Sequence, residues 1–213
     1  MKTLFALDGP VMRFLSLLTD LIFLNILWFV CSLPLVTVGA STTACYYVGM
    51  RMTRGDYSVA KDFFRSFRQN FKQATILWMI LVLLGAFLYF DFCFMEAGTF
   101  PGQSVVKVIL LALSALTIFV ALYAFPLLAQ FENKLKATVK NAMMLALKHF
   151  FRSITMAALY ALIIDMFIFY PAFVLKTAII WLLYAVSGPV YLCCRTLKPV
   201  FAPYLTEVEN EPV

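Results

Sequence analysis

Between Arg13 and Arg51, residues 14–50 carry one formal charge, Asp20, and one interior amide, Asn25. Residues 14–33 are long enough to cross a bilayer as a helix, which takes about 20 mostly apolar residues. Pro34 then interrupts the run, and Leu35-Val36-Thr37-Val38-Gly39-Ala40-Ser41-Thr42-Thr43-Ala44 follows. Small residues let two backbones approach closely, and Ser or Thr can hydrogen-bond across the contact. The expectation is a membrane span followed by a tightly packed bend or short helix, with Pro34, Thr37, Gly39, Ala40, Thr43 and Ala44 as a candidate packing motif.

The rest of the chain follows the same logic. Its 213 residues are 63% hydrophobic and only 13% charged, with a mean hydropathy of +0.91. Soluble domains average about 45–50% apolar, so an integral membrane protein is expected, as a single domain over residues 1–213. Further uncharged runs place spans at 74–94, 105–128, 153–173 and 177–194, beside the first at 14–33. The fold class is therefore all-α, a polytopic bundle of five transmembrane helices. A sixth arises if Leu35–Met50 crosses as a short or re-entrant span. Residues 1–13 lack the charged start, short apolar run and small-residue cleavage site of a signal peptide. Asp8-Gly9-Pro10 suggests a helix start with Asp8 as N-cap, and residues 199–213 a mobile C-terminal tail.

Charge sets the orientation. The loop at 51–72 holds Arg51, Arg54, Lys61, Arg65, Arg68 and Lys72 against Asp56 and Asp62. The loop at 132–152 holds Lys134, Lys136, Lys140, Lys148 and Arg152 against Glu132. The positive-inside rule puts both in the cytoplasm, and five spans then put the amino terminus outside. A loose repeat, displaced by 80 residues, aligns Phe67-Arg68, Phe71-Lys72 and Thr75 with Leu147-Lys148, Phe151-Arg152 and Thr155. It pairs Pro34 with Pro126 near the inner ends of two spans.

Each basic loop contains an amphipathic segment. Phe63, Phe64, Phe67 and Phe71 share one helical face, and Val139, Met143, Leu147 and Phe151 share another, both flanked by cations. Such helices suit an anionic membrane surface, so two basic interfacial helices complete the expected fold. Lys61, Arg65, Arg68, Lys72, Lys140, Lys148 and Arg152 form a candidate surface for lipid headgroups or a partner.

Polar residues inside the spans are the other candidates. Asp165 falls near the middle of the fourth span, where a charge costs about 2.5–3.5 kcal/mol or more. Asp20, Asn25 and Asp165 form a candidate intramembrane polar site, either a path for an ion, proton or sugar, or contacts between helices. The five cysteines have no metal-like spacing, and their odd number does not close a disulfide framework. His149 is the only histidine, set among cations. No HExxH, GxSxG or Walker-type motif occurs, so no catalytic residue, metal or cofactor is expected, and nucleic acid is not an expected partner.

One resemblance adds to this. Asn25-x-Leu27-Trp28, Leu33-Pro34-Leu35-Val36-Thr37-x-Gly39-Ala40-x-x-Thr43-Ala44, the Tyr46-Tyr47 pair and Asp62-Phe63-Phe64-x-x-Phe67-x-x-Asn70-Phe71 resemble the YesL-like family of bacterial membrane proteins, a family of unknown function. Its members are commonly associated with sugar ABC importer and glycan-degradation loci. The resemblance implies a non-enzymatic accessory or assembly partner of a carbohydrate ABC importer, in contact with permease subunits in the bacterial inner membrane. Neither basic loop pairs Glu-Ala-Ala with a later Gly, so a standard permease subunit is not expected. The alternative is a small transporter or channel built on the intramembrane acids.

Overall fold

The structure, a computed structural model, describes residues 10–97, 102–131 and 133–210. The described residues form an all-α bundle without strands: α1 (Pro10–Cys31), a 3-10 turn (Leu35–Thr37), α2 (Val38–Met52), α3 (Val59–Ala97), α4 (Gln103–Gln130), α5 (Leu135–Lys148), α6 (Phe150–Phe169), α7 (Pro171–Lys176), α8 (Ala178–Tyr184) and α9 (Ser187–Asn210). Asp8 and Glu132 lie outside the described residues.

Among the described residues, four helices are long and apolar enough to cross a membrane: Val11–Cys31, Val59–Glu96, Gln103–Gln130 and Phe150–Phe169. A fifth span arises if Ala178–Tyr184 and Ser187–Tyr204, bent by 48° at their junction, cross as one. The exterior of this bundle is apolar, with Leu83, Phe87, Phe90 and Phe94 of α3 and Val105, Val108, Ile109 and Leu111 of α4 all exposed. Its centre is small and partly polar. Ala40, Ser41, Thr43, Ala44, Cys45 and Val48 of α2 are fully buried, because α2 runs through the middle against α1, α3, α4 and α9. An apolar exterior around a small-residue interior is the arrangement of a bundle whose surroundings are lipid.

Several sequence expectations are revised by this packing. The short run after Pro34 is a regular helix that turns the chain back alongside α1. At about 22 Å it is too short for a free-standing span, yet it reverses direction as a span would. Consequently the start of α1 lies at the same end as the first basic loop, where Tyr57 of that loop donates to Asp20. With the basic loops in the cytoplasm, the start of α1 also lies on the inner side, and not on the outer side as five spans implied.

The segment at 51–72 contains no separate interfacial helix. Residues 59–72 are the opening turns of α3, about 58 Å long in all, since no proline interrupts it and Phe63 stacks on Phe67 within it. The second amphipathic segment is a separate helix, α5, divided from α6 at His149. The proposed repeat does not survive: Pro34 precedes α2 at the end away from the basic loops, whereas Pro126 lies inside α4 close to them. The span placed at 153–173 stops at Phe169, because Pro171 opens α7. Finally, residues 199–210 continue α9 rather than trailing away, and Val200 and Phe201 are buried.

Candidate functional site

The three polar residues singled out in the spans go to three different places. Asn25 is fully buried on α1 and faces the junction between α8 and α9. Its Nδ2 donates to the Leu182 carbonyl at 2.8 Å, and its Oδ1 accepts from the backbone N–H groups of Val186 and Ser187 at 3.0 and 3.1 Å. A helix interrupted in an apolar environment leaves carbonyls and N–H groups without partners. One amide side chain supplies both a donor and an acceptor and so completes the break.

Asp20 sits nearer the basic end, where its Oδ2 accepts the Tyr57 hydroxyl at 2.7 Å. Burial, together with that bond to a carboxylate, pushes the Tyr57 phenol up to about 12. Asp165 is exposed on α6. The three residues therefore do not line a common path.

The packing motif is brought together. Gly39 lies so close to α3 that an added Cβ would stand 2.4 Å from the Ala74 carbonyl oxygen and 2.6 Å from the Trp78 Cβ. The Thr37 hydroxyl bonds to the carbonyls of Cys31 and Pro34, closing the turn after α1, and Thr43 bonds back to the Gly39 carbonyl. Ala40 and Ala44 are fully buried. Two tryptophans clamp this corner: Trp28 donates to the Thr42 hydroxyl and Trp78 to the Leu35 carbonyl, at 3.1 and 3.0 Å.

The basic residues also separate. Lys61, Arg65, Arg68 and Lys72 are exposed on the opening turns of α3, while Lys140 and Lys148 are exposed on α5 and Arg152 is half-buried on α6. Their apolar neighbours differ in direction. On α3, Phe63 is buried in the core while Phe64 and Phe71 are exposed. On α5, the core takes Thr138, Ala142, Leu145 and Ala146. The stripe of Val139, Met143 and Leu147, continued by Phe151 on α6, faces outward, with Phe151 85% exposed. That stripe is flanked by lysines and has no cover among the described residues.

Two polar clusters were not visible in the sequence. Arg51 holds Asp62 at 2.6 Å and Asp56 at 2.8 Å, and Asp62 also accepts the Ser58 backbone N–H at the start of α3. Deeper in, the hydroxyls of Tyr46 and Tyr160 are 3.0 Å apart, beside the Cys193 thiol, and the Cys194 thiol reaches the Tyr46 carbonyl at 3.6 Å. Helices α2, α6 and α9 meet there. The Tyr46-Tyr47 and Cys193-Cys194 pairs were legible as residues, but nothing in their spacing joins them. Among the described residues no group of three or more His, Cys, Asp or Glu could hold a metal ion.

Comparison with known proteins gives consistent relatives. Residues 21–92 match a family model described as "Protein of unknown function, DUF624". The chain is 28% identical over 168 residues, 76% of its length and 79% of the relative's, to a Bacillus subtilis (strain 168) protein called "Uncharacterized protein YesL". It is 23% identical over 171 residues, 78% of its length and 77% of the relative's, to "Uncharacterized protein YteU" of the same organism. No solved structure matches.

Proposed function

With residues 21–92 carrying the DUF624 domain of the YesL-like family, whose function is unknown, we propose that this protein is a non-enzymatic, multi-pass protein of the bacterial cell membrane that assists or assembles a carbohydrate ABC importer. The observation that carries the reading is the outward stripe of Val139, Met143, Leu147 and Phe151 beside Lys140 and Lys148. An amphipathic helix that turns its apolar side away from its own core is built to meet another surface. Its position at the basic end supports the reading, because the positive-inside rule puts that end at the level of a permease's cytoplasmic flank. The association of similar proteins with sugar-importer loci supplies the class of partner, and the family description itself supplies none.

The test is co-purification of the full chain with the permease subunits of a carbohydrate importer from the same cells, extracted in mild detergent. The reading expects a stable complex that Leu147→Asp weakens at unchanged folding. Isolation of this protein alone, with the importer fully active in its absence, overturns it.

A further inference from the structure

Between α6 and α9 lies a groove of about 530 Å³, and its two ends differ in chemistry. Toward the basic end it is lined by Thr155, Arg195 and Thr196, and toward the other end by Ala158, Leu162 and Leu192. The polar end is fixed by its neighbours, since one turn beyond Arg195 the Lys198 ammonium bonds to the Thr53 carbonyl in the first basic loop. Arg195 is exposed and forms no ion pair among the described residues. The threonine hydroxyls are already committed as donors. Thr155 donates to the Phe151 carbonyl at 2.9 Å and Thr196 to the Leu192 carbonyl at 3.1 Å. What they still offer is acceptor lone pairs.

We propose that this groove binds one anionic phospholipid with a hydroxyl-bearing headgroup, of the phosphatidylglycerol type. The phosphate takes charge-assisted hydrogen bonds from the Arg195 guanidinium, whose fork matches phosphate oxygens. The headgroup hydroxyls donate to Thr155 and Thr196, and an acyl chain lies along Ala158, Leu162 and Leu192. The gradient from cation and acceptors to aliphatic surface follows the long axis of a lipid in the cytoplasmic leaflet, where basic pockets between membrane helices meet anionic headgroups. A choline headgroup has no hydroxyl to donate and brings a second positive charge toward Arg195. The inference rests on the membrane placement of the bundle and is independent of the importer reading.

Native mass spectrometry of the purified full chain in detergent tests it, with phosphatidylglycerol, phosphatidylcholine of the same acyl length, and glycerol phosphate as separate probes. Both phosphates can meet Arg195, so the discrimination comes from the headgroup hydroxyls and from the choline charge facing the guanidinium. The expected result is a preference of about tenfold for phosphatidylglycerol over phosphatidylcholine, the scale of one or two hydrogen bonds. Arg195→Gln should bring the two lipids within about threefold of each other. Ala158→Phe, which fills the apolar end, should weaken phosphatidylglycerol while leaving Arg195 in place. Four results overturn the proposal: equal binding of the two lipids, an undiminished preference in Arg195→Gln, glycerol phosphate binding as well as the lipid, or phosphatidylglycerol binding undiminished by Ala158→Phe, because the chain would then lie elsewhere.

Discussion

Gly39 and Ala74 bring α2 and α3 into backbone contact: an added Cβ at Gly39 would meet the Ala74 carbonyl oxygen at 2.4 Å. Neither that carbonyl nor the Trp78 Cβ is the end of a flexible side chain, so the helices themselves must separate. Gly39→Ala should therefore destabilise the protein by about 1–3 kcal/mol, the usual scale of overpacking. At Gly49 the nearest atom is the Cys194 thiol at 2.9 Å, which can rotate, so Gly49→Ala should cost less. Thermal unfolding of the two variants in detergent gives the comparison, and the order Gly39→Ala below Gly49→Ala in Tm is the expected one.

Asn25 supplies three hydrogen bonds at the α8–α9 break. Asn25→Leu leaves a carbonyl and two N–H groups without that partner, each worth about 1–3 kcal/mol when unsatisfied. A total loss of about 3 kcal/mol or more is expected. Amide hydrogen exchange should rise first at residues 182–187, before the rest of α9 opens. Uniform exchange along α9 would show that another group completes the break.

Arg51 faces two acids of unequal burial: the Asp62 side chain is 4% exposed and the Asp56 side chain 94%. Asp56→Ala should cost less than about 1 kcal/mol, as exposed ion pairs do. Arg51→Ala leaves Asp62 buried without its partner and should cost about 3–5 kcal/mol. The double variant Arg51→Met with Asp62→Leu should recover much of that loss, which chemical denaturation can measure.

The Asp20–Tyr57 bond makes a topological prediction. With Cys31 and Cys93 replaced by serine, Met12→Cys and Gly55→Cys should react with a membrane-impermeant thiol reagent from the same side of the membrane. Leu33→Cys, 81% exposed at the turn after α1, should react from the opposite side. Labelling of positions 12 and 55 from different sides would contradict the fold.

His149, at the junction of α5 and α6, has its pKa lowered from 6.5 by burial and by the positive charges of Arg152 and Lys148. In the unfolded chain it takes up its proton near the ordinary value, so between that value and the lowered one the unfolded state binds more protons. Stability is therefore expected to fall as pH drops below about 6.5, and His149→Gln should flatten this part of a Tm-against-pH profile.

Much of the fold was legible because lipid imposes a strong rule on sequence. A spanning helix must be long, apolar and free of unpaired backbone groups, so the uncharged runs announce themselves. The crowded segment after Pro34 was legible too, since Gly39, Ala40, Thr43 and Ala44 suit only close helix contact. The direction of α1 was not. It depends on whether a helix of about 22 Å turns the chain around, and that is settled by α3 and α9 packing around α2 rather than by its length. The candidate polar residues separate for a related reason. Asp20, Asn25 and Asp165 share a chemical character, but the partner of Asp20 is Tyr57 and those of Asn25 lie at the α8–α9 junction, far away in sequence.

The sequence by itself determined that this chain is a helical membrane bundle with two cation-rich segments, because hydropathy and charge act residue by residue against the solvent. Only the tertiary structure decided that Phe63 of one amphipathic stripe enters the core while the stripe of Val139, Met143, Leu147 and Phe151 faces outward, what Asn25 bonds to, and where α6 and α9 leave a groove. Those outcomes depend on which helices become neighbours, and short-range contacts between distant segments leave no periodic trace along the chain.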